Sequence, residues 1–287
     1  MIIVTGANGK LGRAVVERVL ERVPAEQVGV SVRNPEKARE LEERGVRVRR
    51  GDFDDAASLA HAFEGASQVL IVSSNSSGKS AVRHHHMAID AARQAGARRI
   101  LYTSHMGASP TSPFLPMVDH AATEALLRDS GVTFTALRNG FYVDIPLMML
   151  SNALKTGELA TPKDGPVAWT THPDLAEVAA IALTEEVLDG ISPNLTASEA
   201  IDMDGIAAIA SELTHRPIRR IVVPDAEYRA GMLAHGTPEE GIDMFMGIFH
   251  ASRQGDFAQV DPTLARILKR PPMPLRDVLK AAVSSAE

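Results

Sequence analysis

Hydrophobic residues in the first half of the chain form short unbroken runs, separated by longer segments in which they recur with helical spacing. The short runs suit buried strands but are too short for helices, whereas the spaced segments predict amphipathic helices. The predicted strands comprise residues 2–5, 28–32, 46–50, 69–72, 98–103 and 132–137, and the predicted helices comprise residues 11–20, 35–44, 79–95 and 116–129.

This alternation predicts an α/β fold with a doubly wound parallel sheet, the Rossmann architecture. Beyond residue 140 the alternation is less regular, and we expect residues 141–287 to form a smaller C-terminal α/β lobe over the strand ends. No linker sets this lobe apart, so it is not expected to be an independent domain, and the sheet is free to recruit later segments. Its predicted helices are 173–185, 202–214, 238–253 and 273–284, with short strands near 167–169, 194–196 and 218–223.

Composition narrows the class of protein. The 287 residues are 45% hydrophobic and 23% charged, which is enough apolar material for a large core and excludes extensive disorder. A net charge of −6 argues against nucleic acid as a partner, and the absence of cysteine excludes disulfides and thiol catalysis. There is no apolar run of the roughly 18 residues that a membrane span needs and no signal-peptide pattern, so we expect a cytoplasmic protein.

Three glycines follow the first predicted strand and lead into the first helix. Gly6 suits a tight turn, Gly9 lets the backbone approach a diphosphate, and Gly12 lets the helix pack close to the sheet. Open N–H groups at the start of the helix attract phosphate. The segment therefore predicts a dinucleotide-binding loop, with a simple tight turn as the alternative. Its candidate cofactor contacts are the three glycines, Gly6, Gly9 and Gly12.

The end of the second strand indicates which dinucleotide is bound. An NAD site usually places a carboxylate there for the ribose hydroxyls, but Glu26 precedes the strand and Arg33 ends it. A guanidinium can grip a 2′-phosphate by two parallel hydrogen bonds, and Lys37 adds a second positive charge one helical turn later. We therefore predict NADPH or NADP rather than NAD. The alternative is that both residues are solvated surface charges.

Polar or aromatic residues follow three further strands, at the sheet edge where open α/β proteins bind ligands. The first pair would lie near the adenine, the second near the diphosphate and ribose, and the third near the nicotinamide. Whether each touches the cofactor is left open. These candidates are Asp52 and Phe53, Ser73 and Ser74, and Thr103 and Ser104.

The chain lacks the Tyr-x-x-x-Lys pair that short-chain dehydrogenases commonly use to protonate a substrate oxygen. The fourth residue after each tyrosine (102, 142 and 228) is Met106, Pro146 or Met232. An acceptor that takes hydride readily, such as a quinone, does not need that acid and can collect its proton from water or a weak donor. The candidate catalytic residues are His120, Tyr142 and Ser104; ordinary packing is the alternative for His120 and Tyr142.

Three consecutive histidines, His84, His85 and His86, invite a metal-site interpretation. Consecutive residues on a helix point about 100° apart, so three neighbours cannot share one ligand face. We therefore predict no metal site and place these residues on a helix surface.

Several segments in combination resemble the NmrA-like atypical short-chain dehydrogenases, and within them the type 2 quinone reductases and triphenylmethane reductases. The resemblance covers nearly the whole chain. It implies NADPH in an extended groove and direct hydride transfer to a quinone or dye. His120 stands where many NmrA-like members carry lysine. Besides the glycine turn, the segments are residues 32–37, 51–53, 102–104, 119–124 and 137–142.

The resemblance also assigns positions to particular residues. It places Arg33 on the 2′-phosphate and lines the nicotinamide pocket with residues 139–142, which are Asn139, Gly140, Phe141 and Tyr142. The residues that it places on the diphosphate are Gly6, Asn8, Gly9, Lys10 and Leu11. Residues 1–140 are then the NADP-binding domain, and the later lobe binds the substrate.

The leading hypothesis is an NADPH-dependent oxidoreductase that transfers hydride to a quinone-like or other conjugated aromatic acceptor. The main alternative is a non-catalytic NADP(H)-sensing regulator of the NmrA type, because a sensor also needs no catalytic pair. A third hypothesis is a reductase of biosynthetic aromatic intermediates. The sequence leaves the oligomeric state open, with a homodimer among the alternatives.

Overall fold

The structure is a computed structural model that describes residues 1–284 of the chain. The strands are β1 (Ile2–Thr5), β2 (Val28–Val32), β3 (Arg47–Arg50), β4 (Gln68–Ile71), β5 (Arg99–His105), β6 (Thr133–Asn139), β7 (Phe141–Tyr142), β8 (Glu158–Thr161), β9 (Trp169–Thr170), β10 (Gly190–Ile191) and β11 (Arg219–Val222). The helices are α1 (Lys10–Leu20), α2 (Arg39–Glu43), α3 (Ala56–Phe63), α4 (Gly78–Gln94), α5 (Leu115–Asp129), α6 (Asp144–Thr156), α7 (His172–Thr184), α8 (Met203–Thr214), α9 (Asp225–Ala234), α10 (Glu239–Arg253), α11 (Thr263–Leu268) and α12 (Leu275–Ser284).

Seven strands form the main sheet in the order β10-β6-β5-β4-β1-β2-β3, and every pairing is parallel. The order reverses between β1 and β4, which makes the carboxyl end of β1 the topological switch point where open α/β sheets bind ligands. The predicted doubly wound α/β fold is therefore confirmed. β1 is buried along its whole length, as expected of a central strand covered on both faces.

Helices cover both faces of the sheet. On one face α1 packs against α7, and Val15, Val16 and Val19 share a core with Leu175 and Leu183. On the other face α3, α4 and α5 pack side by side over a second core. Both α7 and the edge strand β10 come from beyond residue 140, so later segments do join the first layer. The boundary at residue 140 itself stays a prediction.

A third core lies beneath the later helices and includes Phe141, Trp169 and Phe257. Trp169 is buried, and its indole N–H donates to the carbonyl oxygen of Ile201 at 2.8 Å. Two small parallel sheets, β8 with β11 and β7 with β9, complete this region. They place the aromatic residues of the later region directly beyond the carboxyl end of β6.

The sequence pattern missed several short elements, namely β8, α3, α6, α9 and α11. Helix α9 has no fully buried residue, and its packed apolar side chains, Tyr228 and Met232, are partly exposed, so its apolar stripe is weak. Helix α3 is short, but its start has a specific cap, because the Asp55 carboxylate accepts from the Ser58 N–H at 3.1 Å. Across residues 1–284, no helix combines the length and apolarity needed to cross a bilayer.

Candidate functional site

The glycine loop turns sharply between β1 and α1. Gly6 has a φ of +65°, a conformation that side chains other than glycine rarely adopt, and its N–H donates to the Ser31 carbonyl oxygen at 3.1 Å. A Cβ atom on Gly12 would lie 2.4 Å from the Gly6 carbonyl oxygen, so only glycine allows the helix this close to the turn. The two features place the start of α1 against the switch point of the sheet.

The N-terminus of α1 is suited to an anion. Gly9 is the N-cap residue, no side chain within residues 1–284 caps the helix, and its first turn holds no acidic residue. The first intrahelical bond is from the Arg13 N–H to the Gly9 carbonyl at 2.9 Å, which leaves the N–H groups of Lys10, Leu11 and Gly12 outside the helical ladder. Backbone donors and the positive end of the helix dipole therefore converge on one point.

Two side chains of the glycine loop tie it to its surroundings. The Asn8 amide donates to the Asn34 carbonyl oxygen at 2.8 Å, which closes the loop against the end of β2. Lys10 forms an ion pair with Asp144 at the start of α6. Asp144 also contacts His172 Nδ1 at 2.8 Å, so the loop is linked through one carboxylate to two later helices.

Arg33 and Lys37 lie directly after β2, and both are exposed. Neither has a hydrogen bond or ion pair to any other residue described between 1 and 284. The Asn34 side chain fixes the turn between them by accepting from the Glu36 N–H at 3.1 Å. Two unpaired cations next to the glycine loop are what a 2′-phosphate requires, and the phosphate-binding role stays a prediction.

The remaining strand-end candidates line the same edge. The Ser73 N–H donates to Thr103 Oγ1 at 2.9 Å, so these two residues join the ends of β4 and β5. Asp52 and Phe53 are half-buried after β3, and the ring of Phe53 lies 6.2 Å from that of His84. The structure thus joins the ends of β4 and β5 and places Asp52 and Phe53 at the end of β3, and each contact with a cofactor remains a prediction.

A buried hydrogen-bond chain runs behind this edge. The Ser74 N–H donates to His85 Nε2 at 2.9 Å, which makes Nε2 the acceptor and places the proton of the neutral ring on Nδ1. That proton goes to Thr123 Oγ1 at 2.8 Å, and the Thr123 hydroxyl donates to the Asp119 carbonyl at 2.8 Å. Burial lowers the pKa of His85 to about 3, which keeps the ring neutral.

His120 is held in a definite tautomer by the same chain. Because His85 Nδ1 is already a donor, the Tyr102 hydroxyl has His120 Nδ1, 2.7 Å away, as its acceptor. The proton of the neutral His120 ring is therefore on Nε2, which has no partner among the described residues and is not sealed from solvent. Burial lowers the pKa of His120 to about 3. At neutral pH this residue is consequently an N–H donor and not an imidazolium acid.

His105, the last residue of β5, is a site residue that the sequence reasoning did not select. Its Nδ1 accepts from the Gly107 N–H at 3.2 Å, and burial lowers its pKa to about 3. Its ring stacks on His120 with centroids 6.1 Å apart and also contacts Phe141 (5.0 Å) and Phe257 (5.7 Å). It was missed because the predicted strand ended at residue 103, two residues short of His105.

Ser104 and Tyr142 occupy different surroundings from His120. Ser104 is buried and donates to Glu124 Oε1 at 2.7 Å, and Arg138 binds the same carboxylate through two hydrogen bonds of 2.9 and 2.8 Å. Tyr142 packs on His172, with ring centroids 4.4 Å apart, and burial raises the pKa of its hydroxyl. Catalytic roles for Ser104 and Tyr142 stay predictions.

The three consecutive histidines point in three directions. His84 contacts Asp54 at 3.1 Å, His85 turns inward to Thr123, and exposed His86 approaches Asp90 at 3.5 Å. The predicted surface position is wrong for His84 and His85, which are both buried. His84 packs against Phe53 after β3, and His85 packs against β5 and α5. Within residues 1–284 there is no group of three potential ligands arranged around one metal position.

Comparison with known proteins identifies the family to which this chain belongs. The sequence profile described as NAD(P)H-binding matches residues 6–186, which include the glycine loop and strands β2 to β6 of the main sheet. This chain belongs to the NAD(P)H-binding family. It is 33% identical to quinone oxidoreductase 2 of Escherichia coli over 272 residues, and the alignment covers 94% of each protein.

Two solved structures resemble this family member over nearly their whole length. One is an NADPH-dependent quinone oxidoreductase of Escherichia coli in complex with NADPH, with a TM-score of 0.93, 32% identity and coverage of 98% of this chain and 99% of that chain. The other is the triphenylmethane reductase of a Citrobacter species in complex with NADP(H), with a TM-score of 0.92, 32% identity and coverage of 98% and 100%. The resemblance inferred from the motifs is thus confirmed.

The residues present in this NAD(P)H-binding protein fit a dinucleotide. The close approach at Gly12 leaves no room for a side chain, and the uncapped N-terminus of α1 directs backbone donors to the position that a diphosphate takes. The unpaired cations after β2 suit a phosphorylated ribose. The prediction of NADPH or NADP as the cofactor is confirmed at the level of the family and its structural neighbours.

Proposed function

We propose that the protein is an NADPH-dependent oxidoreductase that reduces a quinone or a similar conjugated acceptor by hydride transfer. The observation that carries the proposal is a neutral imidazole, His120, which has an unused Nε2–H and stacks on His105 at the end of β5. His105 in turn contacts Phe141 of the predicted nicotinamide segment. The name of the Escherichia coli quinone oxidoreductase, which the chain resembles in both sequence and structure, supports the same acceptor class.

The cofactor would be held along the carboxyl edge of the sheet. Bound NADPH supplies the hydride, and every other contribution comes from the chain. The α1 backbone binds the diphosphate, the cations after β2 select the 2′-phosphate, and the segment after β6 positions the nicotinamide. The residues proposed to contact the cofactor are Gly6, Asn8, Gly9, Lys10, Leu11, Gly12, Arg33, Lys37, Asp52, Phe53, Ser73, Ser74, Thr103, Asn139, Gly140 and Phe141.

His120 donates a hydrogen bond and does not transfer a full proton. An imidazole with a pKa of about 3 is neutral at pH 7, and losing its Nε2 proton would leave an imidazolate anion inside the protein. Its N–H instead stabilises negative charge that develops on the acceptor oxygen. Tyr102 is the positioning residue, because its hydroxyl occupies Nδ1 and keeps the proton on Nε2.

Acceptor chemistry accounts for the absence of the Tyr-x-x-x-Lys pair. A positioned acid accelerates the reduction of a simple ketone by roughly 10²–10⁴, whereas the aromatic oxyanion left by a quinone takes its proton from water. The Ser104 hydroxyl donates to Glu124, and a catalytic role for Ser104 stays a prediction. Tyr142, which lies beside His172, is kept as a candidate for ordering the acceptor.

The test is NADPH oxidation by the purified protein with a series of soluble benzoquinones and naphthoquinones. We expect turnover with NADPH that falls about tenfold to a hundredfold in His120→Phe, because a hydrogen bond to a charged group is lost. The control is His86→Phe, on the exposed side of α4. Tight NADPH binding with no turnover of any quinone would overturn the proposal in favour of an NADP(H)-sensing regulator.

We further propose that the protein acts in the cytoplasm and that its partner is a small aromatic acceptor. Nucleic acid is not a proposed partner, because the net charge is −6. A homodimer is compatible with the proposal, and size-exclusion chromatography with light scattering measures the oligomeric state directly.

A further inference from the structure

The rings of His105 and His120 form a pair that we call the imidazole pair. They lie 6.1 Å apart between centroids, with only 26° between their planes. Each has its Nδ1 occupied by an internal donor, the Gly107 N–H for His105 and the Tyr102 hydroxyl for His120. A neutral imidazole carries one proton, so both rings hold theirs on Nε2.

Both Nε2–H groups are unused by the protein. Neither forms a hydrogen bond with another residue in the part of the chain that the structure describes, and neither belongs to the buried polar atoms that lack a partner. Each therefore retains access to a ligand. Four other histidines contact carboxylates, among them His84 beside Asp54 and His172 beside Asp144, but neither ring of the imidazole pair does within residues 1–284.

The surroundings of the pair are aromatic and not acidic. His105 contacts Phe141, which follows β6, and Phe257 from the later region, both with their rings edge to face. Burial is the main cause that lowers the pKa of both imidazoles, and no carboxylate opposes it. Hydrogen bonds in such an apolar site are stronger than in water, so two N–H donors here are suited to an anionic oxygen.

Resting on the proposed function, we infer that the imidazole pair is a two-donor oxyanion site that makes the enzyme selective for acceptors whose negative charge develops on oxygen. Hydride addition to a quinone delivers two electrons and one proton and leaves the hydroquinone monoanion. The second proton comes from water. His105 is thus a second catalytic residue, which binds the same developing charge as His120.

A cationic triarylmethane dye provides the contrasting acceptor. Its central carbon takes the hydride and the product is a neutral triarylmethane, so no oxyanion forms and no N–H donor is required. Loss of one donor should therefore slow quinone reduction far more than dye reduction. A purely structural role for His105 would lower both rates by the same factor.

The experiment compares His105→Phe, which keeps an aromatic ring against Phe141 and Phe257, with His105→Gln, which keeps an N–H donor. We expect kcat with a benzoquinone to fall about tenfold to a hundredfold in His105→Phe and to recover in part in His105→Gln. The ratio of quinone to dye turnover should fall by a similar factor. His86→Phe is the control, and thermal unfolding checks that each variant is folded.

If the wild-type protein does not reduce the dye, a binding measurement tests the two-donor oxyanion site instead. We expect calorimetry on the NADP⁺-loaded protein to show 4-nitrophenolate binding that weakens at least about tenfold in His105→Phe, while binding of uncharged nitrobenzene changes little. Equal losses for both ligands, or equal losses for both acceptors, would overturn the inference. Failure of wild-type quinone reduction would instead overturn the proposed function.

Discussion

Arg33 provides a test of coenzyme choice at the scale of a single residue. Its guanidinium is exposed and unpaired within residues 1–284, so truncation removes no internal contact. We expect Arg33→Ala to raise KM for NADPH about tenfold to a hundredfold while KM for NADH changes by less than about twofold, because only NADPH carries the 2′-phosphate. Steady-state kinetics with both coenzymes measures the difference.

The control for that measurement is Arg18→Ala. Arg18 carries a partly exposed guanidinium near the far end of α1, where it pairs with Glu21. Equal effects of Arg33→Ala on the two coenzymes would contradict the assignment of Arg33 to the phosphate. A similar loss in Arg18→Ala would indicate general electrostatic attraction of the coenzyme.

The role of a single residue can be predicted from the sequence where the backbone geometry allows only one residue type. The glycines at 6 and 12 are required by a positive φ and by a 2.4 Å approach, and their spacing is visible in the sequence. The roles of His105 and Tyr102 are not, because they depend on which ring nitrogen accepts a bond from a residue elsewhere in the chain. Such tautomer choices follow only from three-dimensional contacts.

Helix α1 allows the close packing of an element to be tested with two glycine substitutions. In Gly12→Ala the new Cβ would meet the Gly6 carbonyl oxygen, so we expect a loss of about 1–3 kcal/mol in the free energy of unfolding, together with weaker NADPH binding. In Gly231→Ala, within α9, the Cβ meets nothing within 4 Å, and we expect a gain of about 0.5–1 kcal/mol. Urea unfolding of both variants measures whether the free energy of unfolding falls in Gly12→Ala and rises in Gly231→Ala.

Helices and strands were predictable from the sequence when their buried apolar residues recur with regular spacing along one face. Strand β1 and helix α1 bury apolar residues with clear spacing, and both were found. Helix α9 has no fully buried side chain, and helix α6 contains Pro146, which disfavours a helical interpretation of that segment. The start of the later region was therefore the least predictable part of the fold.

The whole molecule is expected to lose stability as pH falls, because three buried histidines stay neutral in the folded state. Burial lowers the pKa of His85, His105 and His120 to about 3, whereas an unfolded chain has histidines near 6.5. The unfolded state therefore binds more protons below pH 6.5, and stability is lost between about pH 6.5 and 3. Each histidine contributes up to about 1.4 kcal/mol per pH unit in that window.

His85→Gln isolates one of these contributions. An amide offers one acceptor for the Ser74 N–H and one donor for Thr123, so the local bonds survive while the titrating group is removed. Urea unfolding between pH 7 and pH 5 should show a shallower loss of stability than in the wild type. Burial raises the pKa of Asp119, which acts in the opposite direction, but that effect is common to both proteins.

The covering of α1 by α7 has a consequence for how the chain is made. Val15, Val16 and Val19 emerge early from the ribosome, but their partners Leu175 and Leu183 emerge only after more than half of the protein has been synthesised. A nascent chain halted before α7 exposes the apolar face of α1 to solvent. Such a surface is bound by chaperones and promotes aggregation with other nascent chains. The first layer is therefore completed after translation of the later region, and not as its N-terminal half leaves the exit tunnel.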